Sequence, residues 1–473
     1  MGPRQGPVPL VEPLRTTHHE TPGPVAGGSS FPSGPPVPPA APAFDVDRAA
    51  RHNFRLSVWN GILFNVGETF IETATILALF VSGLTDRSGV IGLAVAIQEA
   101  GWYLPQILTI AFVESRRRRL PLYTAMAYVR ITGLVVTTLA VVFLGDRHPG
   151  LTLGIFFAAY STYAFAGGFA AVSFYDVVGR TIPLGWHPRM WAYRLFFGGL
   201  LAAACGFLIQ RILTLPDYSL RYGILFGIAT VLIGSGAIAF TASHEPPVEI
   251  SRRALHMGVH LRENLKVAWR DPSFRALFGT RVALAGAFTA APFLVLYALG
   301  PLGLAPTIAG GFVTARIAGF VASNLVWQRI ATHRGHRSLM RGVALAAMVA
   351  PVLALLTPLV PAASRPMMLF VAFAGVGAAV SGTNIGYQSL LLAIAPAARR
   401  PSYVGLMNSF LGPFMLLPAL AGLLVDWTGP LVVFAVALVA AGAAFILTAK
   451  LPQRLSEGSA QPPGPEGEPT TAA

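Results

Sequence analysis

Five polar residues recur along one apolar stretch at the spacing of a helix face. Gly61, Asn65, Glu68, Glu72 and Thr75 follow one another at intervals of four, three, four and three residues, which places them on one stripe of an α-helix. Two carboxyl groups a turn apart repel each other when both are ionised, so one of them is expected to hold a proton near neutral pH. A carboxyl of this kind can take up and release protons. Glu68 and Glu72 are therefore the leading candidates for proton carriers.

Three more charged residues fall near the middle of apolar stretches. Glu99, Arg130 and Arg316 each lie ten or eleven residues into such a stretch. A charge at the centre of a membrane helix costs ~2.5–3.5 kcal/mol on insertion-derived scales, so it usually faces the bundle interior and marks a pathway. Glu99 and Arg316 can form a pair, or an arginine can bind an anionic group of a substrate. Arg281 lies only six residues into its stretch and can reach the membrane surface, so we give it less weight.

Two further stretches carry milder polar stripes. Tyr160 and Tyr163 share one helix face, and Asn384 and Gln388 share another. We predict that these four side chains also line the pathway. The alternative is that they form hydrogen bonds between helices and only hold the bundle together. That structural alternative applies with less weight to the three glutamates.

The composition places these residues in a membrane protein. Of 473 residues, 54% are apolar and only 11% are charged, whereas an ordinary soluble domain carries roughly 25% charged residues. Twelve apolar runs are long enough to cross the membrane as helices, which takes about 20 residues. They span residues 56–83, 89–113, 120–145, 151–179, 191–214, 220–243, 275–300, 305–330, 338–363, 366–394, 402–425 and 428–450. The sequence therefore predicts an all-α polytopic membrane protein with twelve transmembrane helices.

The basic residues predict the orientation. With the N-terminus inside, 24 arginines and lysines fall on inner segments and five on outer ones, as the positive-inside rule requires. The densest group, Arg116 to Arg119, then anchors an inner loop. The net charge of +14 indicates this topology and contact with anionic membrane lipid, and it argues against nucleic acid as a partner. We expect a multi-pass protein of the cytoplasmic (plasma) membrane, a bacterial cell inner membrane, with both termini cytoplasmic.

The composition also divides the chain into segments. Both ends are rich in proline and glycine and cannot bury enough apolar surface to fold alone. A Pro-x4-Pro pair before the fifth apolar run recurs before the eleventh, and such echoes, at offsets of 213 to 220 residues, favour a duplicated six-helix unit. The predicted segments are a disordered tail (1–50), a six-helix bundle (51–243), a cytoplasmic central loop (244–274), a second six-helix bundle (275–450) and a disordered tail (451–473).

Motifs for other chemistry are missing from the sequence. It contains no G-x4-G-K-[S/T] phosphate loop, no H-E-x-x-H and no Cys-x-x-Cys, so ATP hydrolysis and zinc chemistry have no recognisable site. The single cysteine, Cys205, cannot form an intramolecular disulfide. We therefore predict no cofactor and no metal site, and we predict that the protein is not an enzyme.

Together these features resemble the major facilitator superfamily over about residues 50 to 452. The resemblance consists of six plus six helices, a basic central loop and both termini inside. The family's loop signature, G-x-L-A-D-R-x-G-R-R, lies between helices two and three and again between helices eight and nine. The chain reads IAFVESRRRR at residues 110–119 and QRIATHRGHR at residues 328–337. Both copies lack the first glycine, and the first has Glu114 where the family has Asp.

The resemblance implies two pseudo-symmetric six-helix bundles with a central cavity lined by helices one, four, seven and ten. It also implies a loop network that holds the bundles together on the inner side while the outer side is open. A carboxylate at the end of helix two can pair with nearby arginines, and an acidic residue at the matching depth of helix four can join it. The alternative is that these side chains only anchor the helix ends at the membrane surface. The candidate cytoplasmic gate comprises Glu114, Arg116, Asp176, Arg180, Gly335 and Arg337.

The predicted function is secondary active transport of a small-molecule substrate by alternating access, coupled to protons. A cavity that looks largely apolar and aromatic favours efflux. Two alternatives stay open: an uptake permease for a small organic solute, and a non-transporting membrane sensor or lipid-handling protein of the same fold. We expect the chain to function as a monomer.

Overall fold

The computed structural model describes residues 46–106, 109, 116–247, 269–395 and 400–452. All regular structure within these ranges is helical. The predicted terminal tails lie almost wholly outside the described residues, as do Glu114 and most of the central loop.

The helices follow the apolar runs, and we number them α1 to α12 in chain order. They are α1 (Val46–Phe70 and Ala78–Ser82, joined through a π-helical turn at Thr73–Leu77), α2 (Ser88–Tyr103), α3 (Leu120–Leu144), α4 (Pro149–Thr181), α5 (His187–Ile212), α6 (Tyr218–Thr241), α7 (Pro272–Phe288 and Ala291–Leu299), α8 (Ile308–Arg334), α9 (His336–Leu356), α10 (Arg365–Ile394), α11 (Arg400–Leu411 and Leu417–Thr428, joined through a 3-10 turn at Gly412–Leu416) and α12 (Pro430–Leu447). Eleven of these passes are long and apolar enough to cross a membrane within the described residues. The exception is α2, whose predicted run continues into residues that are not described.

Local sequence explains where several helices begin and turn. Helix α7 begins at Pro272, and the Asp271 side chain accepts a hydrogen bond from the Ser273 backbone N–H at 2.8 Å, which caps the helix. Gly335, between α8 and α9, has φ of 82°, and Gly429, between α11 and α12, has φ of 84°. A side chain at either position would be strained, so glycine allows these tight turns.

The helices pack as two groups of six, α1 to α6 and α7 to α12. Within the first group α3 packs on α4 and α1 packs on α5 and α6, while in the second α10 packs on α8 and α9. The groups meet where α2 contacts α11 and where α5 contacts α8. Small residues permit this close approach. A Cβ atom on Gly92 of α2 would lie 2.0 Å from the Pro418 carbonyl oxygen of α11, and one on Gly310 of α8 would lie 2.5 Å from the Gly206 carbonyl oxygen of α5.

Helix α1 is broken near its outer end, which the sequence pattern did not predict. Its first segment ends at Phe70, and the backbone N–H of Leu77 then donates to the Glu72 carbonyl oxygen at 2.9 Å, a bond between residues five apart. Such π-turns are frequent at functional sites. The expected continuous stripe is therefore wrong beyond Glu68, because Glu72 lies at the break and not on the same helical segment.

Helix α7 is broken at the equivalent place. Its first segment ends at Phe288, and the offset from Ile71 to Thr289, the residues after each first segment, is 218 residues, within the range of the sequence echoes. The second segment of α7 packs on the π-turn and the final segment of α1. The two breaks therefore face each other across the two six-helix groups.

Candidate substrate and proton pathway

A cavity of about 440 Å³ lies between the two six-helix groups. Its size falls in the range of pockets that bind small organic molecules. Side chains of α1, α2, α7, α8, α10 and the α11 turn line it. The polar residues that matter below are Glu68, Glu99, Tyr103, Arg281, Arg316 and Asn384.

Glu68 lies on the cavity wall at the centre of a hydrogen-bonded group within the first six helices. The Tyr163 hydroxyl donates to its Oε1 atom, and the Gln98 side-chain amide donates to its Oε2 atom at 3.3 Å. Arg130 Nη2 lies 3.9 Å from Oε1, and its guanidinium stacks over the Tyr163 ring at 4.5 Å. Sequence analysis predicted Glu68, Arg130 and Tyr163 separately as pathway residues, and the fold brings them together.

Glu72 is engaged on both carboxylate oxygens. Arg316 Nη1 of α8 lies 2.5 Å from Oε1, the Ala74 backbone N–H donates to Oε1 at 2.9 Å, and the Thr75 hydroxyl donates to Oε2. The residue is only 7% exposed. The ion pair across the two groups is therefore Glu72–Arg316, and the alternative pairing of Glu99 with Arg316 is not found.

Glu99 has the opposite environment. It is exposed on the cavity wall, and the described residues place no cation within the 4.0 Å ion-pair distance of its carboxylate. Arg281 and Arg316 are the cations that act on it electrostatically from a longer distance. Of the three predicted glutamates, Glu99 is thus the one whose carboxylate is open to the cavity and without a close counterion.

Arg281 is a cavity residue to which the sequence gave too little weight. It is 5% exposed, its Nη2 atom donates to the Tyr103 hydroxyl at 3.3 Å, and its guanidinium lies over the Tyr387 ring at 5.0 Å. Helix α7 begins at Pro272, three residues before the predicted apolar run, so Arg281 lies deeper in the membrane than its place in the run indicated. The Asp271 cap and Pro272 were the signal that could have placed it.

The predicted tyrosines and amides have different positions. Tyr160 is buried and stacks on Tyr163 at 5.4 Å between ring centroids, so it supports the Glu68 group from behind. Asn384 lines the cavity. Gln388, one turn further along α10, is exposed but does not belong to the lining of either cavity described for the chain.

Asn65 lies beside a second, smaller cavity of about 180 Å³ between α1, α5, α8 and α10. Its amide donates to the Gly61 carbonyl at 2.8 Å. Glu68 and Arg316 border both cavities, so the two spaces share these two charged residues.

A further polar connection between the groups was not predicted. The Asn408 side-chain amide of α11 donates to the Gln106 side-chain oxygen at 2.7 Å, and the Tyr387 hydroxyl of α10 donates to the Asn408 side-chain oxygen at 2.5 Å. Tyr387 also carries the Arg281 guanidinium on its ring. Amides inside apolar runs were the available signal, but their partners are separated by up to 302 residues.

Comparisons with known proteins agree with this arrangement. Residues 276–472 match the family model for the Major Facilitator Superfamily. Among solved structures, the chain is similar to the xylose transporter XylE from E. coli in a partially occluded inward open conformation (TM-score 0.62, 11% identity, 85% of this chain and 98% of that chain). It is also similar to the nucleoside transporter NupG (TM-score 0.57, 13% identity, 85% and 97%) and to a bacterial homologue of the iron transporter ferroportin in an inward-facing state (TM-score 0.60, 11% identity, 84% and 98%). No curated protein sequence matches the chain.

The chain has the fold of these transporters, and its second six helices match the superfamily's sequence model. The superfamily resemblance implied cavity walls from helices one, four, seven and ten. Helices α1, α7 and α10 supply walls, α4 supplies Tyr163 behind Glu68, and α2, α8 and α11 contribute as well.

The described end of the first motif-like segment, Arg116 to Arg119, lies beside a charged cluster on the first six helices. Asp176 binds Arg180, one turn away on α4, and Arg119 Nη1 lies 3.5 Å from it. The Glu245 carboxylate accepts hydrogen bonds from the backbone N–H groups of Arg119 at 2.8 Å and Leu120 at 2.7 Å, which caps α3. Glu114 lies outside the described residues. The predicted grouping of Asp176 with loop arginines is therefore present, and all of its described members belong to the first six helices.

The second copy of the motif has a local role in the second six helices. Gly335 forms the positive-φ turn between α8 and α9. Arg337 Nε donates to the Leu451 carbonyl oxygen at 2.5 Å, just after α12. Arg116 is exposed and takes part in a polar contact. A gating role for these three residues stays a prediction.

Proposed function

We propose that the chain transports a small solute by alternating access and couples this movement to protons. The observation that supports the coupling is the open environment of the Glu99 carboxylate. A carboxyl group inside a membrane protein, open to an aqueous cavity and without a close counterion, can gain and lose a proton as the cavity changes sides. Glu68 is the second candidate, because it also borders the cavity, whereas the Glu72 oxygens are occupied by Arg316, Thr75 and the Ala74 backbone.

The contacts between the two groups support alternating access. The close contacts of α2 with α11 near Gly92, of α5 with α8 near Gly310, and of the final segments of α1 and α7 all lie toward the predicted outer side. Gln106 and Asn408 join the two groups nearer the predicted inner side. Rocking of the groups would break one of these sets of contacts and keep the other, and two similar solved structures carry inward-facing descriptions.

The direction of transport is part of the proposal. The sequence favoured efflux because the cavity looked apolar and aromatic. Three arginines and three glutamates in or beside the cavity weaken that argument. Arg281 has no carboxylate within ion-pair distance among the described residues, which favours the alternative, uptake of an organic solute together with a proton.

The experiment measures solute-driven proton movement in proteoliposomes. Purified protein is reconstituted with a pH-sensitive dye inside, and a panel of small solutes is added outside at a fixed pH gradient. We expect at least one solute to drive proton movement with the wild-type chain and none to do so with Glu99→Gln. Asp86→Asn is the matched control, because Asp86 is an exposed carboxylate in the loop between α1 and α2.

Two results would count against the proposal. If solutes cross the membrane with the wild-type chain but never move protons, the coupling is wrong. If Glu99→Gln keeps full solute-driven proton movement, Glu99 is not the carrier, and Glu68→Gln becomes the variant to measure.

A further inference from the structure

We propose that Arg281 binds the anionic group of the substrate, and that the substrate is a small organic anion with an apolar body. This inference rests on the proposed transport function and adds the chemical class of the solute. It starts from a buried cation that lines the 440 Å³ cavity.

Arg281 has unused hydrogen-bonding capacity. A guanidinium carries five N–H donors, and among the described residues this one has a single hydrogen bond, to the Tyr103 hydroxyl at 3.3 Å. Its Nε atom is buried and has no partner. A buried charge without a close counterion is strongly unfavourable. An anion in the cavity would neutralise the Arg281 charge and accept hydrogen bonds from its free donors.

The other two arginines of the site are already engaged. Arg316 binds Glu72 at 2.5 Å, and Arg130 lies 3.9 Å from Glu68 and stacks on Tyr163. Two of the three arginines therefore have a glutamate within ion-pair distance. Arg281 is the cation left to bind a ligand.

The other residues of the cavity wall indicate the chemistry of the rest of the substrate. Phe64, Trp102, Phe288, Phe414 and Val380 line the same space. Aromatic and aliphatic walls favour an apolar or aromatic body. A carboxylate suits Arg281 because its two oxygens can accept from two guanidinium N–H groups at once.

The proposal links the anion to the proton. With Arg130–Glu68 and Arg316–Glu72 paired, Arg281 and Glu99 are the charges left over. A proton on Glu99 leaves Arg281 as the excess cation, and a bound anion then restores neutrality. The anion and the proton therefore favour each other's binding and move in the same direction. The ionisable groups that act on Glu99 are Glu68 of α1, Tyr103 of α2, Tyr160 of α4, Arg281 of α7 and Arg316 of α8.

The test is equilibrium binding to the full chain in detergent, with no gradient present. The probes are benzoate, 4-hydroxybenzoate, 3-phenylpropionate and indole-3-acetate, each compared with its uncharged primary amide, and binding is read from the thermal shift. We expect at least one carboxylate to stabilise the wild-type chain and its amide not to do so. Arg281→Gln should weaken that carboxylate roughly ten- to a hundredfold, the effect of losing a charge-assisted hydrogen bond.

Two further variants distinguish a loss of binding from a loss of folding. Arg281→Lys keeps the positive charge and should retain part of the affinity. Arg341→Gln removes an exposed arginine at the start of α9 and should bind as the wild type does. The unliganded melting temperature of each variant shows whether it is folded.

The proposal is overturned if no carboxylate in the panel binds, if the amides bind equally well, or if folded Arg281→Gln binds the carboxylate as tightly as the wild type. The proposed transport function fails differently. It would survive any of these results if a neutral or cationic solute still moved protons in the vesicles. Carboxylate binding without any solute-driven proton movement would instead leave the anion site standing and reject the coupling.

Discussion

At the scale of single residues, three membrane carboxylates have three different environments. Glu72 is closed in by an arginine, a hydroxyl and a backbone N–H group, Glu68 shares hydrogen bonds with two side chains, and Glu99 faces open space. The residue type is the same in each case, and the neighbours decide which group can exchange a proton.

Removal of the Glu72 charge should destabilise the protein. Glu72→Gln leaves the half-buried Arg316 without its counterion, and breaking a buried pair costs up to roughly 3 kcal/mol. We expect a lower melting temperature in detergent. The double variant Glu72→Gln with Arg316→Gln should recover part of the loss, because no unpaired charge is left. An unchanged melting temperature in Glu72→Gln would mean that the ion pair contributes little to stability.

At the scale of helices, the contact between the two six-helix groups depends on glycines. Gly92 allows α2 to approach α11, with Pro418 opposite. Glycines also allow α5 and α8 to approach each other closely, at Gly206 and Gly310. Hydrogen bonds add to this close approach, such as those that the Asp426 carboxylate of α11 accepts from the Ser88 and Gly89 backbone N–H groups of α2 at 2.7 and 3.0 Å.

Gly92→Val should shift the protein toward an outward-open state. Its side chain would collide with the Pro418 backbone, and overpacking costs about 1–3 kcal/mol, which changes a two-state equilibrium roughly 5- to 150-fold. The measurement is the rate at which a membrane-impermeant thiol reagent labels Ser88→Cys in a Cys205→Ser background.

Gly154→Val is the control for that measurement, because no atom lies within 4 Å of a Cβ placed on Gly154. It should label at the rate of the parent. Equal labelling of both valine variants would show that the α2–α11 contact does not hold the outer side closed.

At the scale of the whole molecule, the predicted orientation can be tested directly. The loop between α1 and α2 is predicted to lie outside, and the loop between α8 and α9 to lie inside. In intact cells of the Cys205→Ser variant, an impermeant thiol reagent should label Asp86→Cys and should reach Arg334→Cys only after the membrane is opened. The reverse pattern would contradict the positive-inside assignment.

Much of this architecture could be predicted because it depends on properties that are local in the sequence. Apolar length predicted the number of passes. Charge or polarity within an apolar run singled out Glu68, Glu99, Arg316 and Asn384, which line the cavity. The pairing of Glu72 with Arg316 could not be predicted, since it joins residues 244 positions apart. The break after Phe70 has no proline or glycine to mark it, because the turn is stabilised by the Glu72 carboxylate and by packing on α7.

The two facing breaks leave α1 and α7 each with a short outer segment. Because a break interrupts the backbone hydrogen-bond ladder, we expect each segment to tilt more easily than the long helix below it and to close over a captured solute before the two six-helix groups rock. Capture and release would then be separate events, and a substitution that stiffens an outer segment would slow the first while leaving the second almost unchanged.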